Sequence, residues 1–215
     1  MNNVNINSLV NSLEKVKTIS SPYKRCFKWF SISFALMLLV TYLIKLFTGQ
    51  ALFSYQLAFY FESAGLLAIA YCAILAAFLY SSPDEKYQST AKKLAAASVT
   101  SWLLISVYCI YHCFATGHFM HMMLESLINY KNFMQILLIG IIPTTWLILM
   151  LRKAFPTHRH ITGVLAILGS LTIAIVCSKL LEQNHEAIHM LIWRYTPVLI
   201  IAVVTYLFSD KLFTR

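Results

Sequence analysis

Residues 57–80 read LAFYFESAGLLAIAYCAILAAFLY, an apolar run that carries a single charge, Glu62. At a rise of about 1.5 Å per residue, a run of about twenty residues is the length a helix needs to cross a bilayer's hydrocarbon. Lipid offers no water to backbone N–H and C=O groups, so such a run must be helical. Working outward from it, comparable runs fall at approximately 29–47, 94–115, 133–151, 161–181 and 190–208. The chain therefore reads as an all-α membrane protein, with six transmembrane helices joined by short loops.

The cations are sorted by side. Lys15, Lys17, Lys24, Arg25 and Lys28 precede the first span, and Lys86, Lys92 and Lys93 separate the second from the third. Arg152, Lys153 and Arg159 separate the fourth from the fifth, and Lys211 and Arg215 follow the sixth. Only Lys45, Lys131, Lys179 and Arg194 fall toward the other side. The positive-inside rule then predicts that both termini are cytoplasmic. The composition agrees, with 59% hydrophobic and 12% charged residues, too apolar for a soluble domain of this length. A net charge of +9 would suit nucleic acid, but cations along one membrane face answer to anionic headgroups. Direct contact with nucleic acid is not expected.

Trp29, Trp102, Trp193, Tyr80 and Tyr195 lie near the predicted span ends, where amphipathic rings settle at the membrane interface. The first span is too long for a cleavable signal and should persist as an anchor. Two parts are expected: a cytoplasmic head, residues 1–28, and a bundle, residues 29–215. Pro143 and Pro197 interrupt spans 4 and 6, but span 1 has no counterpart. The matched breaks of an inverted-repeat transporter are therefore missing.

Within the head, apolar residues at 6, 9, 10, 13 and 16 form the i, i+3, i+4, i+7 stripe of an amphipathic helix. Asn5, Asn7 or Ser8 could cap it, and Ser20-Ser21-Pro22 should end it, because the residue before proline avoids the helical region. Such a helix either lies on the inner leaflet, held by Lys15, Lys17, Lys24 and Arg25, or docks in a groove on a cytosolic protein. The pattern alone favours the helix on the leaflet; Glu14, which interrupts the basic face, shifts the balance slightly toward a protein partner.

On the outer side, Cys109, His112 and Cys113 fall in the last turns of span 3, and Cys177 near the exit of span 5. The outer loops add His118, His121, His185 and His189, with Met120, Met122 and Met123. Cys109/Cys113 and His185/His189 are each spaced i, i+4, which puts both members on one helix face. Imidazole and thioether together suit a soft metal such as Cu(I). Cys177, His112, His118, His121, His185 and His189 are thus the candidate metal ligands, although small cysteines and loop histidines are equally ordinary in such a chain. A disulfide or thiol switch among Cys109, Cys113 and Cys177 is the redox version of the same idea. Glu62, the only carboxylate well inside a span, is a candidate functional group by position alone. It could be neutral, hydrogen-bonded inside the bundle, paired with a histidine or part of a proton relay.

No nucleophile elbow, phosphate-cradling glycine loop or carboxylate pair occurs, so no enzyme is expected.

The order of residues over nearly the whole chain resembles the NrsF family of bacterial inner-membrane anti-sigma factors. The resemblance is carried by Leu9-Val-Asn-Ser-Leu-Glu-Lys-Val-Lys17, Pro22 with Lys24-Arg25, Phe61-Glu62 and Pro83. It continues through Pro143, Arg152, Pro156 and Thr162-Gly163, then Cys177, Glu186, Leu191-Ile-Trp193, Pro197 and Leu212-Phe-Thr-Arg215. It implies that the chain holds an extracytoplasmic-function sigma factor at the inner face of the membrane until an envelope, heavy-metal or redox signal releases it. The sigma-binding role would fall to the head, through Leu9, Val10, Leu13, Lys15, Val16 and Lys17. In the family, a cysteine near the start of span 4 and another near the end of span 5 are tied to heavy-metal sensing. Cys177 matches the second, but Asn132 stands about where the first should be, which leaves Cys109 or Cys113 to substitute in space. No cofactor is required by this reading, and a metal ion enters only transiently, as signal. Two rival classes remain: a small transporter or channel using Glu62, and a metal- or redox-binding membrane protein with no sigma partner.

Overall fold

The computed structural model describes residues 20–48, 57–82, 84–115, 131–154, 156, 158–181 and 191–213. Among these, all regular structure is helical: α1 Pro22–Thr48, α2 Leu57–Tyr80, α3 Glu85–Ala115, α4 Lys131–Arg152, α5 Arg159–Lys179, a single π-helical turn Leu191–Tyr195, and α6 Thr196–Phe213. Among the described residues, six helices are long and apolar enough to cross a membrane.

Helix ends differ from the hydropathy boundaries for a physical reason. Apolarity marks the hydrocarbon, whereas backbone hydrogen bonding continues through the headgroups, with long cationic side chains reaching back to water. So α1 begins at Pro22 instead of 29, inside the segment assigned to the head. Pro22 occupies the first helical position, where a missing N–H costs nothing. Ser21 precedes it as the cap, its hydroxyl accepting from the Lys24 N–H at 3.5 Å and its carbonyl from the Arg25 N–H at 3.1 Å. Likewise α3 starts at Glu85 instead of 94, and its 31 residues span about 46 Å at about 1.5 Å per residue. Before α6 the backbone widens into the π turn ahead of Pro197, whose ring and absent N–H do not fit a regular helical ladder.

Side-chain contacts fix the two ends of the bundle. At one end, Arg25 of α1 donates to the Met150 carbonyl of α4 (3.2 Å) and lies over the Phe78 ring of α2. Tyr23 meets Tyr87 of α3 there, Tyr80 meets His158 just before α5, and His160 Nε2 faces Asp210 of α6 at 3.6 Å. At the opposite end, Lys45 of α1 reaches Leu180 just after α5, and Glu62 of α2 reaches Lys179 of α5. Successive helices therefore run in alternating directions.

The core is built around α5, which packs on α1, α2, α4 and α6. Nearly every residue from Thr162 to Lys179 is buried. Small residues let its neighbours approach closely, the usual means of helix association in lipid. A Cβ on Gly169 would lie 2.5 Å from Ile74 Cγ1 and 3.0 Å from the Ala70 carbonyl oxygen of α2. Across the other face, Thr144 of α4 donates to Ser170 at 2.9 Å, and Ser170 donates back to the Ala166 carbonyl.

Four of the five aromatic rings expected at the membrane interface pack inward instead of facing lipid. Trp29, Trp102, Tyr80 and Tyr195 are all buried in the bundle. Trp102 sits in the middle of the long α3, where it fills space between helices instead of ringing the membrane.

Candidate functional site

The end of the bundle where α1 and α5 finish and α2 begins gathers charge. Lys179, the last residue of α5, has no exposed side-chain surface, and its Nζ lies 2.6 Å from Glu62 Oε1. The Glu62 side chain is 46% exposed, so the pair joins the interior to its rim. A bare ammonium in an apolar bundle is costly; here a charge-assisted bond offsets that cost. The Phe59 ring, 5.6 Å from Nζ, adds a cation–π contact. Lys45 donates to the Leu180 carbonyl at 3.2 Å, placing a cation at the negative C-terminal end of the α5 dipole.

From the other side the π turn contributes Arg194 and Tyr195, both fully or almost fully buried. Arg194 and Cys109 lie within electrostatic reach of Lys179, and Tyr195 within reach of Glu62. The Tyr195 ring meets Trp102 edge to face at 5.1 Å, and the Trp102 indole donates to Thr172 Oγ1 of α5 at 2.8 Å. A π turn at such a convergence is a frequent mark of a functional position. Polar contacts tie α1 and α2 to the last turn of α5, and α3 to α5 two turns earlier, with the π turn packed against α3. A perturbation there changes how the central helix is held.

Cys177 lies one half-turn before Lys179 and is wholly buried, and Cys109 of α3, within electrostatic reach of Lys179, is buried as well. Cys177 is a free thiol, as are Cys26 and Cys72. Among the described residues no group of three His, Cys, Asp or Glu side chains could hold a metal ion. The proposed set is therefore not assembled from the members that can be placed. His112 is exposed on α3 beside Tyr108, whereas Cys177 faces the core. Position 113 belongs to α3, but the Cys113 side chain lies outside the described residues. So do His118, His121, His185 and His189, and the head residues Leu9, Val10, Leu13, Lys15, Val16 and Lys17.

The surroundings of Glu62 differ from two of the expectations set for it. Its carboxylate is not enclosed in the bundle, and its partner among the described residues is a lysine instead of a histidine. The enclosed member of the pair is Lys179. Sequence reasoning passed over Lys45, Lys179 and Arg194 as mere exceptions to the charge bias. The signal was there: an ionisable residue inside a span is a functional candidate whichever its sign.

The family model for NrsF, negative regulator of sigma F, matches residues 9–214. The chain belongs to this family. As an NrsF protein it is a negative regulator, and its partner is a sigma factor. The match takes in four of the five apolar positions of the head stripe as well as all six helices. No curated protein and no solved structure matches the chain.

Proposed function

We propose that this NrsF chain is a membrane-bound anti-sigma factor of the bacterial inner membrane, with both termini in the cytoplasm. It holds an extracytoplasmic-function sigma factor at the inner face and releases it on an envelope, heavy-metal or redox signal. The observation that carries this reading is the family match from residue 9 to residue 214, which joins the amphipathic head to the bundle in one unit. Leu9, Val10, Leu13 and Val16 form the docking stripe, with Lys15 and Lys17 at its rim. The crowding of cations at the end where α1 begins supports a cytoplasmic position for that end.

Sensing falls to the opposite end. A soft metal ion or an oxidant engages Cys177, with Cys109 or Cys113 as its neighbour, beside the Lys179–Glu62 pair. The response passes through α5, which packs on α1 as well as on α2, α4 and α6. Shifts of about 1–2 Å between packed helices are ordinary in such switches. Moving the sigma factor from mostly held to mostly free requires about 5.5 kcal/mol of differential signal affinity for the two states, for a change from 1:99 to 99:1.

The test is a sigma-dependent reporter in cells carrying chain variants. Leu9→Asp with Leu13→Asp should leave the reporter on without a signal. Cys177→Ala should hold it off when the signal is present. A head variant that still represses fully would remove the docking role from this stripe.

A further inference from the structure

At the cation-rich end, α1 and α4 flank an open cavity of ≈ 400 Å³. Trp29, Trp146 and Met150 give it apolar walls, and Arg25, Lys28 and Lys153 surround it with positive charge. Lys28 and Lys153 are exposed, and Arg25 is half-buried and held in place by the Met150 carbonyl and the Phe78 ring. No carboxylate is among the described residues that line it. The Trp29 indole N–H is buried and meets no acceptor among the described residues.

We propose that the α1–α4 cavity binds one anionic phospholipid. The phosphate diester fits between Lys28, Lys153 and Arg25, and the first methylenes lie against Trp146 and Met150. Basic pockets between transmembrane helices at the headgroup level are suited to such lipids. The apolar walls distinguish the occupant from a free phosphate. The position between two bilayer-crossing helices favours a lipid over an acidic protein segment. The assignment holds whichever leaflet this end of the bundle faces. Its consequence is that lipid occupancy fixes α1 against α4, and with it the direction in which the head leaves the membrane.

Native mass spectrometry of the full chain, titrated with phosphatidylglycerol or with phosphatidylethanolamine of the same acyl chains, tests this. One phosphatidylglycerol should be retained in preference. Lys28→Gln with Lys153→Gln should cut that preference by about fivefold per lysine, whereas Lys92→Gln with Lys93→Gln, at the same end but off the cavity, should keep it. Equal retention of the two lipids, or a preference that survives the Lys28/Lys153 change, would overturn the proposal. So would displacement of the lipid by glycerophosphate, which would make this a free-phosphate site. Loss of a co-purifying protein with the lipid preference intact would assign the cavity to an acidic protein surface instead. Should the double variant fail to fold, brominated lipids settle the matter on the unaltered chain. Brominated phosphatidylglycerol should quench tryptophan emission more than its phosphatidylethanolamine counterpart, and equal quenching would count against the site.

Discussion

Lys179 and Glu62 form an ion pair whose members sit in different surroundings: the ammonium is sealed in the bundle, and the carboxylate 2.6 Å away is nearly half exposed. This asymmetry governs what each substitution should do. Glu62→Gln leaves a buried ammonium without its counter-charge and should cost about 1–3 kcal/mol. That is below the about 3–5 kcal/mol of a fully enclosed pair, because water reaches the carboxylate. Lys179→Met leaves only a half-solvated carboxylate and should cost less. The double variant Glu62→Gln/Lys179→Met should recover most of the loss. Apparent melting temperatures in mild detergent check the order, and equal losses from the two single changes would contradict it.

The glycines offer a sharper structural contrast. Gly169→Ala puts a methyl against Ile74 and the Ala70 carbonyl, atoms that cannot both retreat without parting α2 from α5. Overpacking of this kind costs about 1–3 kcal/mol. At Gly65 of the same α2, an added Cβ meets nothing within 4 Å. There alanine should be neutral or stabilising by about 0.5–1 kcal/mol, through its better helix propensity. Thermal stability of the two variants side by side is the measurement.

Burial of Cys177 bears on the signal. A thiol with no exposed surface reacts slowly with a bulky, membrane-impermeant maleimide while the bundle is closed. If the signal acts through this residue, its arrival must open a path, and labelling at position 177 should accelerate several-fold when the signal is added. Mass-spectrometric mapping of the labelled peptide would show this. Fast labelling before any signal would mean that the closed bundle described above is not the resting state.

The six crossings were legible in the sequence because about twenty apolar residues in a row have one stable solution in lipid. Helix ends were less so, as α1 and α3 show: hydropathy stops at Lys28 and Lys93, but the hydrogen-bond ladder does not. Nor did apolarity identify the central helix, since α4 and α5 have mean hydropathies of 2.1 and 2.2. The better signal for α5 was its small and hydroxyl-bearing residues, Gly163, Gly169, Ser170 and Thr172, which mark close helix packing. Of the candidate site, Glu62 was found by position and Lys179 was not. Their pairing depends on α2 lying beside α5, a neighbour relation that no local pattern encodes. Hydropathy alone puts Trp102 near a span end, whereas in the helix it sits about midway between Glu85 and Ala115.

The central claim is that residues before α1 hold the sigma factor. The most direct test is to purify the full chain in mild detergent from cells making their native sigma factors, alongside a form lacking residues 1–19, which leaves α1 whole. A sigma factor that accompanies the full chain and is absent from the shortened one is the predicted result. A full chain that brings down no sigma factor, or a shortened one that retains it in equal amount, would contradict the account.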